Sequence, residues 1–405
     1  ALYLHLPFCE SICYYCACNK IVTKHHEWAG RYVPYLGKEI RLLSAELEGT
    51  RKVTQMHWGG GTPNFFPTGQ MKEIKAFIAE NFELDPAGEY SIEVDPRTLP
   101  PEKVGELSEL GFNRLSIGVQ DFDPAVQKAV NRIQSPEQTQ AVMRSARASA
   151  MRSINLDLIY GLPKQNTQSF ARTLRTLAEL SPDRVALYNY AHLPALFKPQ
   201  RRIAEADLPS ARERIELLSM AISELTKAGY LYIGMDHFAK PEDELAIAMK
   251  QGRLHRNFQG YSTQPDCDLL SFGVSAISKV GPTYGQNTKE LEDYYQRLDR
   301  DEIPIVRGLE LNSDDLLRRA LIQDLMCNFA VNIPALEEMH LIGFRRYFSR
   351  EMEALAELED AGLVQTQEDW LRVTPMGRFF VRNICMVFDR YLREARERTQ
   401  YSKAI

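Results

Sequence analysis

Nowhere in its 405 residues does the sequence approach the roughly 18 consecutive apolar residues that a membrane-spanning helix needs. Basic charge is not in excess either: 49 Lys and Arg against 54 Asp and Glu leave a net charge of −5, which argues against a nucleic-acid binder, with 198–202 as a local basic run. No charged-then-apolar secretory leader opens the sequence, and it has no low-complexity segment. Cysteine is scarce, at seven residues, yet four of them, Cys9, Cys13, Cys16 and Cys18, fall within ten positions. A secreted disulfide scaffold would be short and cysteine-dense throughout, so this distribution points to a reducing, cytoplasmic setting and a metal site. The sequence opens on Ala1 inside an apolar run, and further residues are expected upstream.

What is present is ordinary globular material, 44% hydrophobic and 25% charged. The length exceeds the usual single domain of roughly 100 to 200 residues, so one large domain and a smaller one are expected. From residue 2 to about 190, strand-like runs at 2–6, 53–58, 89–95, 113–119, 153–159 and 184–190 alternate with helix-like segments at 28–47, 68–80, 101–110, 136–150 and 167–180. That rhythm predicts an α/β fold, a partial (β/α)6 TIM-like barrel with right-handed crossovers. Polar or glycine-rich residues follow nearly every strand, at Gly59-Gly60-Gly61-Thr62, Glu93, Gln120 and Asp157, the rim where barrels carry their active sites. The alternation weakens after 200: a helix at 211–228 and a short strand near 230–234 precede loop-rich sequence that could cover a site. From 312 onward, two helices, a strand pair around 363–373 and a closing helix from Pro375 read as a mostly helical, winged-helix-like module. Without a basic recognition helix it reads as a packing element and not a DNA reader. The division expected is 1–308 for catalysis, with the barrel core over about 1–200 and a covering segment to 308, and 309–405 for the C-terminal domain.

The segment FCESICYYCACNK spaces its cysteines C-x3-C-x2-C-x-C in the loop after the first strand. Thiolates are the soft ligands that iron–sulfur clusters require, and close spacing on one loop brings several to a single cluster. Structural zinc prefers two well-separated ligand pairs, and no second pair is present. A cluster held by three thiolates keeps one iron open to a small molecule.

This motif in this position resembles that of the radical S-adenosylmethionine (SAM) enzymes. The runs LHLPFC, HWGGGTP, SIEVDPR, GFNRLSIGVQDF, NLDLIYGLPKQ, NYAHLP, LHRNFQGYST and RNICM, spread from residue 4 to residue 386, are similar to those of the oxygen-independent coproporphyrinogen III oxidase family. The resemblance implies that Cys9, Cys13 and Cys16 ligate a 4Fe-4S cluster with an open iron site. It implies that SAM binds that iron and yields a 5′-deoxyadenosyl radical, in an enzyme that works anaerobically. Cys18 is the residue that separates true oxidases from related heme-binding and heme-degrading branches, and it matters there for activity without being a ligand. The implied reaction oxidatively decarboxylates the ring A and B propionates of coproporphyrinogen III to the vinyls of protoporphyrinogen IX, with an unidentified electron donor and final acceptor.

By the same resemblance two SAM molecules share the site, the first against Tyr3, Gly60, Glu93, Ala191 and Ile277, the second against Tyr15, Gly61, Thr62, Gln120, Arg132 and Asp157. The residue types suit such binding, since glycine admits close backbone approach and arginine offers a planar fork to a carboxylate. Position 15 is usually Phe in the family, so Tyr15 is a departure that keeps the aromatic surface. Four propionates on the substrate call for cations, and Arg201, Arg202 and Arg256 are candidates. Members carry several dozen residues before the first strand, a substrate-proximal arm that this sequence does not include. A monomer without nucleic acid is expected. Two other readings stand beside the oxidase: a heme-binding chaperone or heme-modifying protein on the same scaffold, and a regulator using the cluster as a redox switch.

Overall fold

The first strand, Leu2–Leu6, is buried along its whole length, the mark of a central strand in a parallel sheet covered on both faces. In the computed structural model, which describes residues 1–257, 259–264 and 267–394, this strand lies between Lys52–Gly60 and a short strand, Leu270–Phe272. Beyond Lys52–Gly60 the sheet continues through Glu83–Val94, Arg114–Gln120, Ser153–Tyr160 and Arg184–Asn189, every neighbouring pair parallel. Six of these strands are the predicted ones and carry the (β/α)6 repeat. The third begins at Glu83, earlier than its alternation indicates, because Leu84 pairs with Val53. Leu270–Phe272 was not anticipated: its three residues sit in loop-rich sequence with no periodicity.

Local sequence explains the helix boundaries. Thr167–Leu180 and Pro136–Ala148 each open on a reciprocal capping box, Asn166 with Ser169 and Ser135 with Gln138, which satisfies amide groups left free at a helix start. The segment expected as one helix at 101–110 is a 3-10 turn, Pro101–Lys103, followed by Val104–Glu109. Glu27–Ala45 buries Tyr32, Val33, Leu36 and Ile40. One turn along the same face is a buried carboxylate, Glu39. It accepts from the backbone N–H of Gly273 at 2.7 Å, from Asn287 Nδ2 at 2.6 Å and from the Tyr294 hydroxyl at 2.6 Å. A single acid thereby ties this helix to the loop after Leu270–Phe272 and to the helix Leu291–Asp299.

The chain divides into two compact units, 1–228 with 267–310 and 229–266 with 311 onward. The expected cut after residue 308 falls two residues before the second unit's return at 311, while 229–266 groups with the C-terminal residues. In the second unit, helices Ser313–Asn328, Ile333–His340, Ser349–Asp360 and Val381–Phe388 surround a three-stranded antiparallel sheet of Ala330–Asn332, Trp370–Val373 and Val364–Thr366. This is the expected winged-helix-like arrangement, packed on Leu321, Phe344, Phe348, Leu371, Ile384 and Phe388. Among the described residues, no helix is long and apolar enough to cross a membrane.

Candidate active site

The cysteine loop is closed on itself and tied to the sheet at its first end. Phe8–Cys9 pairs in parallel with Ile21–Val22, while the backbone N–H groups of Gly61 and Thr62 donate to the carbonyls of Leu6 and Phe8, each at 2.8 Å. Such close approach accounts for the glycine triplet. A Cβ at Gly61 would lie 2.6 Å from the carbonyl carbon of Pro7, one at Gly60 would meet the His5 ring at the same distance, and one at Gly59 would meet the Glu93 carboxylate at 2.9 Å. Gly60 also has φ +106°, a conformation that L side chains rarely adopt.

Between these straps, Cys9, Cys13, Cys16 and Cys18 line one cavity at the carboxyl ends of the strands, together with Tyr15, Gly60, Gly61, Thr62, Glu93, Gln120, Arg132 and Asp157. Twelve of the fifteen residues assigned to the cluster, SAM or Cys18 roles therefore line one cavity. The other three lie elsewhere in the same unit. Tyr3 stacks on His57, with ring centroids 6.0 Å apart, and its hydroxyl is 3.1 Å from His5 Nδ1. The Ala191 carbonyl accepts from Gln200 Nε2 at 3.1 Å. Ile277 is partly exposed on an antiparallel strand, Ile277–Val280.

All four loop cysteines are free thiols. The Thr62 hydroxyl donates to Cys9 Sγ at 3.3 Å. A hydrogen bond from Cys18 holds the Cys16 thiol down to about 6 in pKa against the effect of burial, with Lys20 adding to the lowering, while that same pairing holds Cys18 up. Arg97 and Arg132 point N–H groups at Cys13 Sγ, at 3.7 and 3.5 Å. Among the described residues no three His, Cys, Asp or Glu side chains converge on a single-ion site. A multi-iron cluster spreads its ligands over separate irons, and three soft thiols on one wall, offset by Lys20, Arg97 and Arg132, fit that group in donor type and charge.

The carboxylates facing the cavity are held differently. Burial alone would raise Glu93, but His57, whose Nε2 is 3.0 Å from Glu93 Oε1, leads the interactions that keep it below its ordinary range. Asp157 is pushed up to about 7 by burial and by the charge of Glu93, although Asn155 donates to it at 2.7 Å and Ser116 at 3.1 Å. Gln120 sits at φ 72°, where a non-glycine residue is strained, at the irregularity between its strand and Ser153–Tyr160. Strained backbone is stored at binding sites more often than elsewhere.

Several participants were not singled out from sequence. Gln200, buried, donates Nε2 to the carbonyl of Tyr15 at 3.0 Å as well as to Ala191, joining the cysteine loop to the segment after Arg184–Asn189. Asp95 and Arg97, both within the run SIEVDPR, stand beside Cys13; only their position directly after a strand end pointed to them. Of the candidate substrate cations, Arg201 donates to the Pro194 carbonyl and Arg202 lies over the Tyr14 ring. Arg256 belongs to the second unit, over Tyr261.

Comparison with known proteins agrees with this geometry. Residues 3–177 match the family model described as "Radical SAM superfamily" and residues 311–380 the one described as "HemN C-terminal domain". Curated proteins named oxygen-independent coproporphyrinogen III oxidase are similar over the whole chain: 49% identical in Salmonella typhimurium and 48% in Escherichia coli, each with 88% of the relative covered. The solved structure described as coproporphyrinogen III oxidase (HemN) from Escherichia coli, a radical SAM enzyme, superposes with a TM-score of 0.94 at 48% identity over 97% of this chain and 90% of the other. With sequence and fold similar along nearly the full length, the chain belongs to the oxygen-independent coproporphyrinogen III oxidase family of radical SAM enzymes.

Proposed function

We propose that this chain converts coproporphyrinogen III to protoporphyrinogen IX by oxidative decarboxylation of the ring A and ring B propionates in heme biosynthesis, without oxygen. The observation that carries the reading is the single cavity in which Cys9, Cys13, Cys16 and Cys18 stand with Glu93, Gln120, Arg132 and Asp157. Membership of the family implies a 4Fe-4S cluster and SAM, which when bound supply a carbon-centred 5′-deoxyadenosyl radical. That chemistry would remove one hydrogen atom from the β-carbon of each propionate, so that the Cα–carboxylate bond could break. Carbon dioxide would depart and one electron pass to an acceptor, leaving the vinyl double bond.

The chain's own residues divide the remaining work. Cys9, Cys13 and Cys16 are the cluster ligands, and Cys18, hydrogen-bonded to Cys16, is the fourth thiol that the oxidation requires. Tyr3, Gly60, Glu93, Ala191 and Ile277 serve one SAM. Tyr15, Gly61, Thr62, Gln120, Arg132 and Asp157 serve a second. An ionised Glu93 suits an ammonium or ribose hydroxyl, while a carboxyl at Asp157 with a pKa of about 7 can donate as well as accept. The setting is cytoplasmic, and the chain acts as a monomer with a separate electron donor and acceptor.

The test is anaerobic reconstitution followed by turnover with reductant, SAM and coproporphyrinogen III, with products identified by mass, and with Cys18→Ser and heme binding in parallel. Loss of two carboxyl groups per substrate with two 5′-deoxyadenosines formed supports the reading. SAM cleavage with intact porphyrinogen would refute the substrate assignment, and tight heme binding with no SAM cleavage would favour a heme-binding protein on the same scaffold.

A further inference from the structure

The Cys13 thiol stands in different company from its neighbours. Cys9 receives a neutral hydroxyl from Thr62, whereas two guanidinium groups are directed at Cys13: Arg97 Nη2 at 3.7 Å and Arg132 Nη1 at 3.5 Å. One carboxylate holds both. Asp95 Oδ2 accepts from Arg97 Nη2 at 2.6 Å and from Arg132 Nη1 at 3.1 Å, and Oδ1 accepts from Arg97 Nε at 3.0 Å. Asp95 is fixed in turn, its backbone N–H donating to Asn64 Oδ1 at 2.8 Å. These side chains are largely removed from water, with 15% of Arg97, 9% of Asp95 and 8% of Arg132 exposed, so their charges act through a medium less polarisable than solvent.

The arrangement also bears on Arg132 itself. Its Nη2 donates to the Gly118 carbonyl at 2.5 Å and its Nη1 is taken by Asp95 and Cys13, leaving Nε as its buried donor without a partner. Gly118 lets the guanidinium in: a Cβ there would stand 3.0 Å from Nη2. Nη1 is thus committed to Asp95 and Cys13 and one N–H of Nη2 to Gly118, so the edge formed by Nε and the second N–H of Nη2 is what Arg132 has left for a ligand carboxylate.

We propose that Arg97 and Arg132, bridged by Asp95, are positioning residues that set the reduction potential of the cluster through Cys13. The inference rests on the reading of Cys13 as a cluster ligand. Two cations and one anion give the triad a net charge of +1 beside the ligand. Reduction adds one electron to the cluster, and hydrogen bonds to a ligand sulfur together with nearby positive charge favour the reduced state. The triad eases the uptake of the electron that SAM cleavage consumes.

The experiment uses the reconstituted holoenzyme and three variants, Arg97→Gln, Arg97→Lys and Asp95→Asn, with iron and sulfide counted per chain and the cluster potential taken from a redox titration monitored by electron paramagnetic resonance. Arg97→Gln removes a charge and is expected to lower the reduced-to-oxidised ratio at a fixed poise by about tenfold, a shift of about 59 mV for one electron. Asp95→Asn removes the opposite charge and shifts the ratio the other way, while Arg97→Lys falls between Arg97→Gln and the wild type. Opposite signs distinguish an electrostatic role from loosened packing, which would move all three alike. Wild-type potentials in fully loaded variants, or a common direction for Arg97→Gln and Asp95→Asn, overturn the proposal. Should Arg97→Gln fail to load, Arg97→Lys and Asp95→Asn carry the test, and wild-type potentials in both overturn it. A parallel Cys13→Ala variant separates the two readings: if it holds a full cluster with an unchanged spectrum, the ligand assignment is what fails.

Discussion

Replacing Glu39 by Gln removes one ionisation from the interior, and with it a pH-dependent source of stability. Burial pushes the Glu39 carboxyl from an ordinary 4.5 up to about 7, more than the donors Tyr294, Gly273 and Asn287 can offset. A shift of that size corresponds to roughly 3 kcal/mol between the two protonation states. The folded chain holds the proton more tightly than the unfolded one, so the contribution is fully present below about pH 4.5 and is lost as the pH rises to and through 7. Glutamine can reproduce the acceptor shared by Gly273 and Tyr294, but its amide faces the Asn287 amide, so the variant starts with a fixed deficit. That deficit does not change with pH. The assay is denaturant unfolding of both proteins from about pH 5 to about 8.5 under reducing conditions, read by hydrogen exchange in peptides covering 269–276. The wild-type advantage should shrink steadily as the pH rises and level off above about 8, other titrating groups cancelling in the difference. A difference that is flat across the range, or one that grows with pH, would refute this account of Glu39.

Further outcomes follow from other contacts. Gly61→Ala puts a Cβ against the backbone of Pro7 and Phe8, which cannot swing aside as a side chain would; a loss of about 1–3 kcal/mol in thermal unfolding is expected, with reduced iron per chain after reconstitution. Gln200→Leu keeps volume but strips three hydrogen bonds, to Tyr15, Ala191 and Leu193, and equilibrium dialysis should show weaker SAM binding with cluster content preserved. In the second unit Arg318→Ala leaves the buried Glu351 with Arg393 alone and strands the Phe388 carbonyl; a cost of about 3–5 kcal/mol is expected in denaturant unfolding, with the cluster spectrum unchanged.

The barrel core was legible because strand-like and helix-like runs alternate along it and because Pro136–Ala148 and Thr167–Leu180 carry their own caps, so periodicity and end signals agree there. Leu270–Phe272 was not, since three residues give no period, and its place beside Leu2–Leu6 is fixed by Glu39, a residue whose burial no local pattern announces. The residues that line the cavity are legible where chemistry concentrates in a motif. Cys9, Cys13, Cys16 and the Gly59–Gly61 run declare themselves, but the glycines are needed first for contact with Pro7 and His5, a packing demand that spacing does not reveal. Arg132 illustrates the same limit: its residue type suits a ligand carboxylate, but its contacts with Asp95, Gly118 and Cys13 are made by the fold and spacing does not reveal them.

The double strap on the cysteine loop has a consequence for maturation. Phe8–Cys9 and Ile21–Val22 close the intervening residues into a short ring, so part of the entropy of bringing the thiols together is lost when these strands pair. Zinc fingers, whose ligands gather only as metal binds, fold and load in one event. Here the pairing is made of backbone hydrogen bonds that need no metal, so the polypeptide itself carries part of the ordering of the thiol loop.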